Sequence, residues 1–292
     1  MRLAAIDIGS NAARLLITDV IRGPGEETDF IKTVLVRVPL RLGFDVFDKG
    51  EIPESKVEKV IKTVQAFRIL LEVYEVKHFR ACATSAMRDA HNSAGIIKRI
   101  KAETGINIEI ISGQEEASLI YENHIADTMA SEESYLYADV GGGSTELTFF
   151  SDGKQIFKES FNIGTIRLLK NQVTEATWNE MKECIVKKTK GYHHVTIIGS
   201  GGNINKIFSL SKKKDGKPLT LELLRDYYKE FNNLTVQQRM SAYKLREDRA
   251  DVIVPALLIY INIMRWAETE EIYVPKIGLA DGLIHALWEQ VK

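Results

Sequence analysis

The chain has 292 residues, 45% hydrophobic and 27% charged, which is the composition of a soluble globular protein with about two domains. Its 39 basic and 40 acidic residues balance, so no overall charge favours binding to nucleic acid or to a membrane surface. The longest apolar run, Val252 to Met264, is too short to span a bilayer and predicts a buried helix. The first residues lack a signal-peptide core, and Cys82 and Cys184 lack metal-ligand spacing, so we expect a cytoplasmic protein with reduced thiols.

In chain order, the first half predicts the pattern βββαβαβ. The predicted strands are Leu3–Ile8, Ala13–Val20, Thr28–Leu40, Phe79–Ala83 and Ile106–Ile111. A helix is predicted from Pro53 to Val76, and a second one ends near Gly105. The first helix is indicated by an apolar stripe with helical spacing: Val57, Val60, Ile61, Val64, Phe67 and Leu71.

The second half restarts this pattern and continues into a mostly helical part. The predicted strands are Tyr135–Asp139, Thr145–Phe150, Gln155–Phe161, Val195–Gly199 and Ile272–Val274. A helix is predicted from Glu175 to Lys190, and a last helix begins at Ala280. The motif Asp7-Ile8-Gly9-Ser10 returns 132 residues later as Asp139-Val140-Gly141-Gly142. We therefore predict an internal repeat that forms two similar α/β domains facing each other.

The most informative segment joins the strand that ends at Asp139 to the strand that begins at Thr145. Between them, the glycines of Gly141 to Ser144 allow a sharp turn and leave backbone amides bare for an anion such as phosphate. Asp139 and Glu146 flank this turn, and two carboxylates beside a phosphate cradle suit Mg²⁺. The segment alone is also compatible with a glycine hairpin that carries two solvated acids.

Two further glycine turns are potential phosphate sites. One is Gly9-Ser10-Asn11 after the first strand. The other, Gly199-Ser200-Gly201-Gly202-Asn203, follows a strand and opens a helix, whose N-terminal amides can bind phosphate.

Charged residues near the predicted turns are candidates for catalysis. Ser112 and Glu115 have the spacing of a capping box at a helix start. The next residue, Glu116, has no evident capping role and is either a general base for water or a simple helix-start acid. Arg88 either binds phosphate bidentately or pairs with Asp89 on the surface.

Other basic residues are weaker candidates. The run from Lys212 to Lys217 indicates a solvated loop or a landing surface for a long polyanion. The remaining cationic candidates are Arg14, Arg37, Arg41, Arg167, Lys206, Arg246 and Arg249.

Five motifs in a fixed order give the chain a specific resemblance. They are Asp7-Ile8-Gly9-Ser10-Asn11, Thr84-Ser85-Ala86-Met87-Arg88-Asp89-Ala90, Ile111-Ser112-Gly113-Gln114-Glu115-Glu116-Ala117, Asp139-Val140-Gly141-Gly142-Gly143-Ser144-Thr145-Glu146 and Gly199-Ser200-Gly201-Gly202. With them, the chain resembles the exopolyphosphatase/guanosine pentaphosphate phosphohydrolase (Ppx/GppA) family in its short two-domain form, from about residue 3 to residue 285.

The resemblance implies an α/β fold of two actin-like (ribonuclease-H-like) domains with the active site in the cleft between them. The N-terminal domain would cover residues 1–124, joined by the last helix at about 280–292, and the C-terminal domain residues 125–279. The implied reaction is Mg²⁺-dependent release of terminal orthophosphate from inorganic polyphosphate or from guanosine pentaphosphate. Family members often dimerise, so the resemblance also implies a homodimer.

The resemblance also implies roles for individual residues. Glu116 matches the general base, Asp139 and Glu146 match the carboxylates that hold the metal or the attacking water, and Arg88 matches an arginine near the phosphates. The phosphate-binding turns are matched by Gly9, Ser10, Asn11, Gly141, Gly142, Gly143, Ser144, Gly201 and Asn203.

Three positions depart from the family pattern. Ala12 and Asn203 stand where serine and threonine are usual, and Ala280 stands where arginine is usual. These changes remove two hydroxyls and one cation expected to face a polyanion. They leave open the choice between polyphosphate and guanosine pentaphosphate, and they motivate one alternative, a catalytically weak sensor of these compounds. A second alternative, an actin-like nucleotide-binding protein, would share the two glycine turns, but the motifs around Glu116 and Arg88 argue against it.

Overall fold

The computed structural model describes residues 1–23, 28–121, 134–152, 154–192, 194–275 and 277–292. The chain divides into two compact units. Unit 1 consists of Met1–Asn123 together with Leu279–Lys292, and unit 2 consists of His124–Gly278. The boundary predicted between residues 124 and 125 lies outside the described residues.

The N-terminal part of unit 1 combines a mixed sheet with helices. Its described strands are β1 (Arg2–Ile8), β2 (Ala12–Arg22), β3 (Thr28–Pro39), β4 (His78–Ala83) and β5 (Glu109–Ile110). Its described helices are α1 (Gly43–Lys49), α2 (Glu54–Val73), α3 (Ser85–Asp89), α4 (Ser93–Thr104) and α5 (Gly113–Tyr121). The strand order is β3-β2-β1-β4-β5, in which β1 to β3 form an antiparallel meander and β4 runs parallel to β1.

Unit 2 repeats this plan with more helices. Its described strands are β6 (Ser134–Val140), β7 (Thr145–Ser151), β8 (Lys154–Phe161), β9 (Val195–Ser200), β10 (Leu219–Thr220) and β11 (Glu271–Tyr273). Its described helices are α6 (Thr165–Leu169), α7 (Glu175–Thr189), α8 (Gly202–Ser211), α9 (Leu221–Asn232), α10 (Val236–Tyr243), α11 (Glu247–Ala250) and α12 (Ile253–Trp266). The strand order is β10-β11-β9-β6-β7-β8.

The internal repeat predicted from the sequence is confirmed within each unit. The meander of β6, β7 and β8, with β9 parallel to β6, matches the meander of β1, β2 and β3, with β4 parallel to β1. The turns after β1 and β6 close in the same way. The amide of Gly9 donates to the carbonyl of Ala12 (3.0 Å), and the amide of Gly141 donates to the carbonyl of Ser144 (2.9 Å).

The last helix, α13 (Leu279–Val291), completes unit 1 from the far end of the sequence. It packs against β1, β2, β4 and α5, and its apolar side chains share a buried cluster with Leu3 and Leu16. The α/β fold class predicted from the sequence is confirmed, with two mixed sheets and their helices in two units.

Long periodic segments were predicted well, and short ones were not. The stripe on α2 is buried as expected, and α7 begins at the predicted residue, Glu175. The segment Ser85–Asp89, for which no helix was predicted, forms helix α3, and the strand expected at Ile106 to Ile111 pairs only at β5. Ile106 is nevertheless fully buried. The alternation of apolar residues therefore indicated burial in this segment, but it did not show that the segment pairs as a strand.

Helix α1 and strand β10 were not predicted, because neither is long enough to show a hydrophobic period. The basic run Lys212 to Lys217 lies in a loop between α8 and β10, as predicted. Among the residues that the structure describes, no helix has the length and apolar character needed to cross a membrane.

Candidate functional site

The turn between β6 and β7, Gly141–Ser144, is called the unit 2 glycine turn. It is flanked by the unit 2 carboxylate pair, Asp139 and Glu146, which face each other across the two strands. Glu146 is buried and accepts a hydrogen bond from Oγ of Ser160 (3.0 Å). Asp139 accepts one from Oγ of Ser200 (2.7 Å). Both carboxylates are thus oriented by neighbouring hydroxyls.

The start of α6 holds the carbonyl side of this turn. The amide of Thr165 donates to the carbonyl of Gly141 (3.1 Å), the amide of Ile166 to that of Gly142 (2.8 Å), and Nε of Arg167 to that of Gly143 (2.7 Å). In a trans peptide, the N–H points opposite to the C=O of the same plane. The amides of Gly142, Gly143 and Ser144 therefore point away from α6, where consecutive amides can receive an anion.

Gly164, which precedes α6, makes this close approach possible. A Cβ added at Gly164 would lie 2.4 Å from the carbonyl oxygen of Gly142. Its backbone, with φ −139° and ψ 161°, is open to any residue, so the contact alone requires glycine. The glycine turn and α6 are therefore packed backbone against backbone.

The unit 1 glycine turn, Gly9–Ala12, is held from its carbonyl side as well. The carbonyl of Ser10 accepts from the amide of Gly43 (2.8 Å), and that of Asn11 accepts from the amides of Leu40 (3.1 Å) and Arg41 (2.8 Å). The hydroxyl of Ser10 is also buried, and it shares a hydrogen bond with Ser85 (2.7 Å). By the same trans-peptide geometry, the amides of Asn11 and Ala12 point to the other side.

The two units differ in the residue that faces the repeated aspartate. In unit 1, Asp7 faces Arg14, whose Nη1 lies 2.6 Å from Oδ2 of Asp7. In unit 2, Asp139 faces Glu146, and carboxylate oxygens of the two lie within 4.8 Å of each other. A guanidinium neutralises an aspartate, whereas two neighbouring carboxylates disfavour each other's charge. The charge pattern therefore favours a cation in unit 2 and not in unit 1.

The unit 2 carboxylate pair fits a divalent metal ion by its donor chemistry. It offers carboxylate oxygens, which Mg²⁺ prefers, next to amides that can hold phosphate. The space beside it is confined, because a Cβ added at Gly201 would lie 3.0 Å from Oδ1 of Asp139. Gly201 also has a φ of +110°, a conformation that side-chain-bearing residues rarely adopt.

The third glycine turn, Gly199–Asn203, carries an arginine that comes from another helix. Nη1 of Arg249 donates to Oδ1 of Asn203 (2.8 Å), and a Cβ added at Gly202 would lie 2.7 Å from the same nitrogen. The guanidinium therefore lies against the first turn of α8, where helix amides already favour an anion. Asn203, one of the departures from the family pattern, is oriented by this contact.

The start of α5 carries Glu116. Oγ of Ser112 accepts from the amide of Glu115 (3.1 Å), as expected of an N-cap. The carboxylate of Glu115 accepts from Nη2 of Arg80 (2.8 Å), so the predicted capping box is only half formed. Glu116 is 9% exposed, which makes it a buried carboxylate rather than a surface helix-start acid.

The pKa of the Cys82 thiol reflects the burial and the negative charges in this part of unit 1. Burial raises the pKa of Cys82 well above its usual value, and the negative charges of Asp7 and Glu116 raise it further. The thiol therefore stays protonated, which argues against a role as nucleophile.

Arg88 is oriented by the segment that leads into α5. Its Nη1 donates to the backbone carbonyl of Ile111 (2.8 Å). This bond links α3 to the residue that precedes Ser112, the N-cap of α5. The contact of Arg88 with phosphate, expected from the resemblance, stays a prediction.

Three residues that contact the glycine turns or carboxylates of unit 2 were not singled out in the sequence. They are Ser160, Gly164 and Tyr260. Gly164 precedes a short helix, a pattern that can indicate a close backbone approach. Ser160 and Tyr260 gave no signal, because a serine in a strand and a tyrosine in an apolar helix look like ordinary structural residues.

Comparisons with known proteins agree over nearly the whole chain. A sequence model of the Ppx/GppA phosphatase family matches residues 27–290. Exopolyphosphatase 1 of Mycobacterium tuberculosis is 27% identical over 304 aligned positions, covering 97% of this chain and 87% of that protein.

Solved structures show the same likeness. An exopolyphosphatase from Cytophaga hutchinsonii is 26% identical with a TM-score of 0.85, covering 100% of this chain and 99% of that one. The Aquifex aeolicus member of the Ppx/GppA family is 25% identical with a TM-score of 0.78, covering 100% and 99%. The fold is accordingly of the actin-like ATPase type.

Proposed function

The chain belongs to the Ppx/GppA phosphatase family, and on that premise we propose that it hydrolyses phosphoanhydride bonds and releases orthophosphate from the end of inorganic polyphosphate. The observation that supports this best is the unit 2 glycine turn. Three consecutive amides point away from α6 beside the carboxylates of Asp139 and Glu146, so one place offers donors for phosphate and ligands for a cation.

The glycine turns would bind the phosphoryl oxygens. Backbone amides of Gly142, Gly143 and Ser144 are fixed by the bonds that hold their carbonyl side, so they need no rearrangement to receive a phosphate. Further residues proposed to bind phosphate are Gly9, Ser10, Asn11, Gly141, Gly201 and Asn203, with Arg88 as a cationic donor.

The carboxylates of Asp139 and Glu146 would hold Mg²⁺. When bound, this ion would screen the negative charge of the phosphate oxygens. Ser200 and Ser160 would keep the two carboxylates in place, since each donates a hydrogen bond to one of them.

Glu116 would act as the general base that takes a proton from the attacking water. As a carboxylate it can accept this proton, and the buried start of α5 provides a rigid support for it. In this assignment, the neighbouring Glu115 has no catalytic part, because its carboxylate pairs with Arg80.

Guanosine pentaphosphate is the alternative substrate, because it also ends in a phosphoanhydride-linked phosphoryl group. The alternatives of a non-hydrolytic sensor and a nucleotide-binding protein remain as outcomes of the same assay. We further propose that the protein acts in the cytoplasm and forms a homodimer.

The test is phosphate release from polyphosphate, guanosine pentaphosphate and ATP, with Mg²⁺ and with excess chelator. We expect release from polyphosphate that falls to background on chelation and returns when Mg²⁺ is added. Full turnover in chelator would overturn the metal assignment. Binding of polyphosphate without release would favour a sensor, and tight binding of ATP alone would favour a nucleotide-binding protein.

A further inference from the structure

The hydroxyl of Tyr260 lies where strands β6 and β9 separate. Asp139 and Ser200 are the last paired residues of these parallel strands. Tyr260 lies on α12 with 1% of its surface exposed, and its hydroxyl donates to the carbonyl of Ser200. The side chain of Ser200 in turn donates to Oδ1 of Asp139 (2.7 Å). Two hydrogen bonds, one to the backbone and one from the side chain of Ser200, thus connect α12 to a proposed metal ligand.

We propose that Tyr260 is a positioning residue for the metal-binding carboxylate of Asp139, and that it acts through Ser200. This proposal rests on the proposed function, because it takes Asp139 as a ligand of the divalent cation. Tyr260 would not touch substrate or metal itself.

The crowding around Gly201 explains how a bond to the Ser200 carbonyl can reach Asp139. A Cβ added at Gly201 would lie 3.0 Å from Oδ1 of Asp139, 3.0 Å from the carbonyl oxygen of Val140 and 3.5 Å from the hydroxyl of Tyr260. These groups therefore meet around one point. The rigid Ser200–Gly201 peptide plane includes the Ser200 carbonyl, the amide of Gly201 and the Cα of Ser200. A bond that holds this plane therefore also holds the Cα from which the Ser200 side chain extends to Asp139.

Phenylalanine would fill the same apolar space, so packing alone does not account for the hydroxyl of Tyr260. Burying a hydroxyl is unfavourable unless it makes hydrogen bonds. Burial raises the pKa of Tyr260 well above its usual value, and the charges of Asp139 and Glu146 raise it further. The hydroxyl therefore keeps its proton and can act as a steady donor to the Ser200 carbonyl.

The experiment compares Tyr260→Phe with a matched control, Tyr243→Phe. The control removes the same atom in the same unit, from a hydroxyl whose hydrogen-bond partner is Glu230. Binding of Mn²⁺ is measured by calorimetry without substrate, and the Mg²⁺ dependence of phosphate release is measured separately.

We expect the dissociation constant for Mn²⁺ to rise about tenfold in Tyr260→Phe, as for other residues that orient metal ligands. The Mg²⁺ concentration for half-maximal release should rise in parallel, while kcat at saturating Mg²⁺ changes much less. Tyr243→Phe should leave both metal constants unchanged. A purely structural role would lower the melting temperature without moving the metal constants.

Unchanged Mn²⁺ binding by folded Tyr260→Phe would overturn the proposal. If that variant does not fold, Ser200→Ala replaces it, since this change removes the bond to Asp139 and keeps the carbonyl; unchanged metal binding there would be equally decisive. Wild-type protein that binds Mn²⁺ but releases no phosphate would contradict the proposed function. The effect of Tyr260→Phe on Mn²⁺ binding would still test the positioning role in that case. Wild-type protein that binds no divalent cation would overturn the positioning role as well.

Discussion

At the scale of single residues, the site depends on a change of charge between two repeated positions. Arg14 faces Asp7 in unit 1, and Glu146 faces Asp139 in unit 2, at matching places of the two meanders. The guanidinium of Arg14 lies 2.6 Å from the carboxylate of Asp7 and already balances its negative charge, so this position would attract a metal ion only weakly. The same backbone pattern thus offers a neutral pair in one unit and, in the other, a pair of carboxylates that we propose as the cation site.

Glu116→Gln tests the proposed base at this scale. The change keeps the size of the side chain and removes its ability to take a proton, so kcat should fall roughly 10²–10⁴-fold. A neutral amide is easier to bury than a carboxylate, so the free energy of unfolding should change by less than about 1 kcal/mol. Steady-state phosphate release and urea unfolding are the measurements.

Glu115→Gln is the matched control for this substitution. Glu115 is the preceding residue, its side chain is 43% exposed, and its partner is Arg80. This variant should keep near wild-type turnover. An inactive Glu115→Gln beside an active Glu116→Gln would mean that the wrong carboxylate was chosen. Two active variants would contradict the general-base mechanism.

At the scale of secondary-structure elements, α6 is the support of the unit 2 glycine turn. The short helix contributes two amides and a guanidinium to three consecutive carbonyls. Each of these bonds fixes a peptide plane, and therefore also the direction of the amide on its far side. The phosphate-binding geometry proposed for the turn is set by a helix that need not touch the phosphate.

Gly164→Ala tests this support. The new methyl group would lie 2.4 Å from the carbonyl oxygen of Gly142, so α6 and the turn must move apart. Overpacking of this kind costs about 1–3 kcal/mol of stability. The Michaelis constant for polyphosphate should rise as well, because the amides of the turn lose their fixed directions. Urea unfolding and initial rates measure the two effects.

Gly95→Ala is the control for this substitution. Gly95 lies in α4, and an added Cβ there meets no atom within 4 Å. Alanine is the better helix former, so stability should stay the same or rise by up to about 1 kcal/mol. A harmless Gly164→Ala would show that α6 and the turn are not in tight contact.

At the scale of the whole molecule, unit 1 is assembled from both ends of the chain. Helix α13 brings Leu283, Ile284 and Leu287 into the same buried cluster as Leu3 of β1 and Leu16 of β2. Its contacts include α5, the helix that carries Glu116. The stability of unit 1 and the support of its proposed catalytic base therefore depend on residues near the end of the sequence.

Ile284→Ala tests this dependence. Ile284 is 1% exposed, and removal of a buried aliphatic side chain of this size costs about 2–5 kcal/mol. Ile69→Ala on α2 makes the same chemical change at a position that is 59% exposed, where the expected effect is within about 0.5 kcal/mol. Urea unfolding of both variants gives the comparison. Equal destabilisation would contradict the packing of α13 in unit 1.

The amino-acid sequence by itself determined the elements that have a long hydrophobic period, such as α2 and α7. It also determined the repeated turns, because a glycine turn after an aspartate is a local pattern that recurs at a fixed distance. The candidate residues could be named from local sequence as well, because carboxylates, arginines and glycines have characteristic chemistry that residue type alone indicates.

Only the tertiary structure decided which of these groups act on one another. The bonds from Arg88 to Ile111, from Arg167 to Gly143 and from Ser200 to Asp139 join residues 23, 24 and 61 positions apart. No local period or motif encodes such partners, because they are brought together by the packing of different strands and helices. The support given by α6 to the glycine turn and the hydrogen bond from Tyr260 to the Ser200 carbonyl are contacts of this kind.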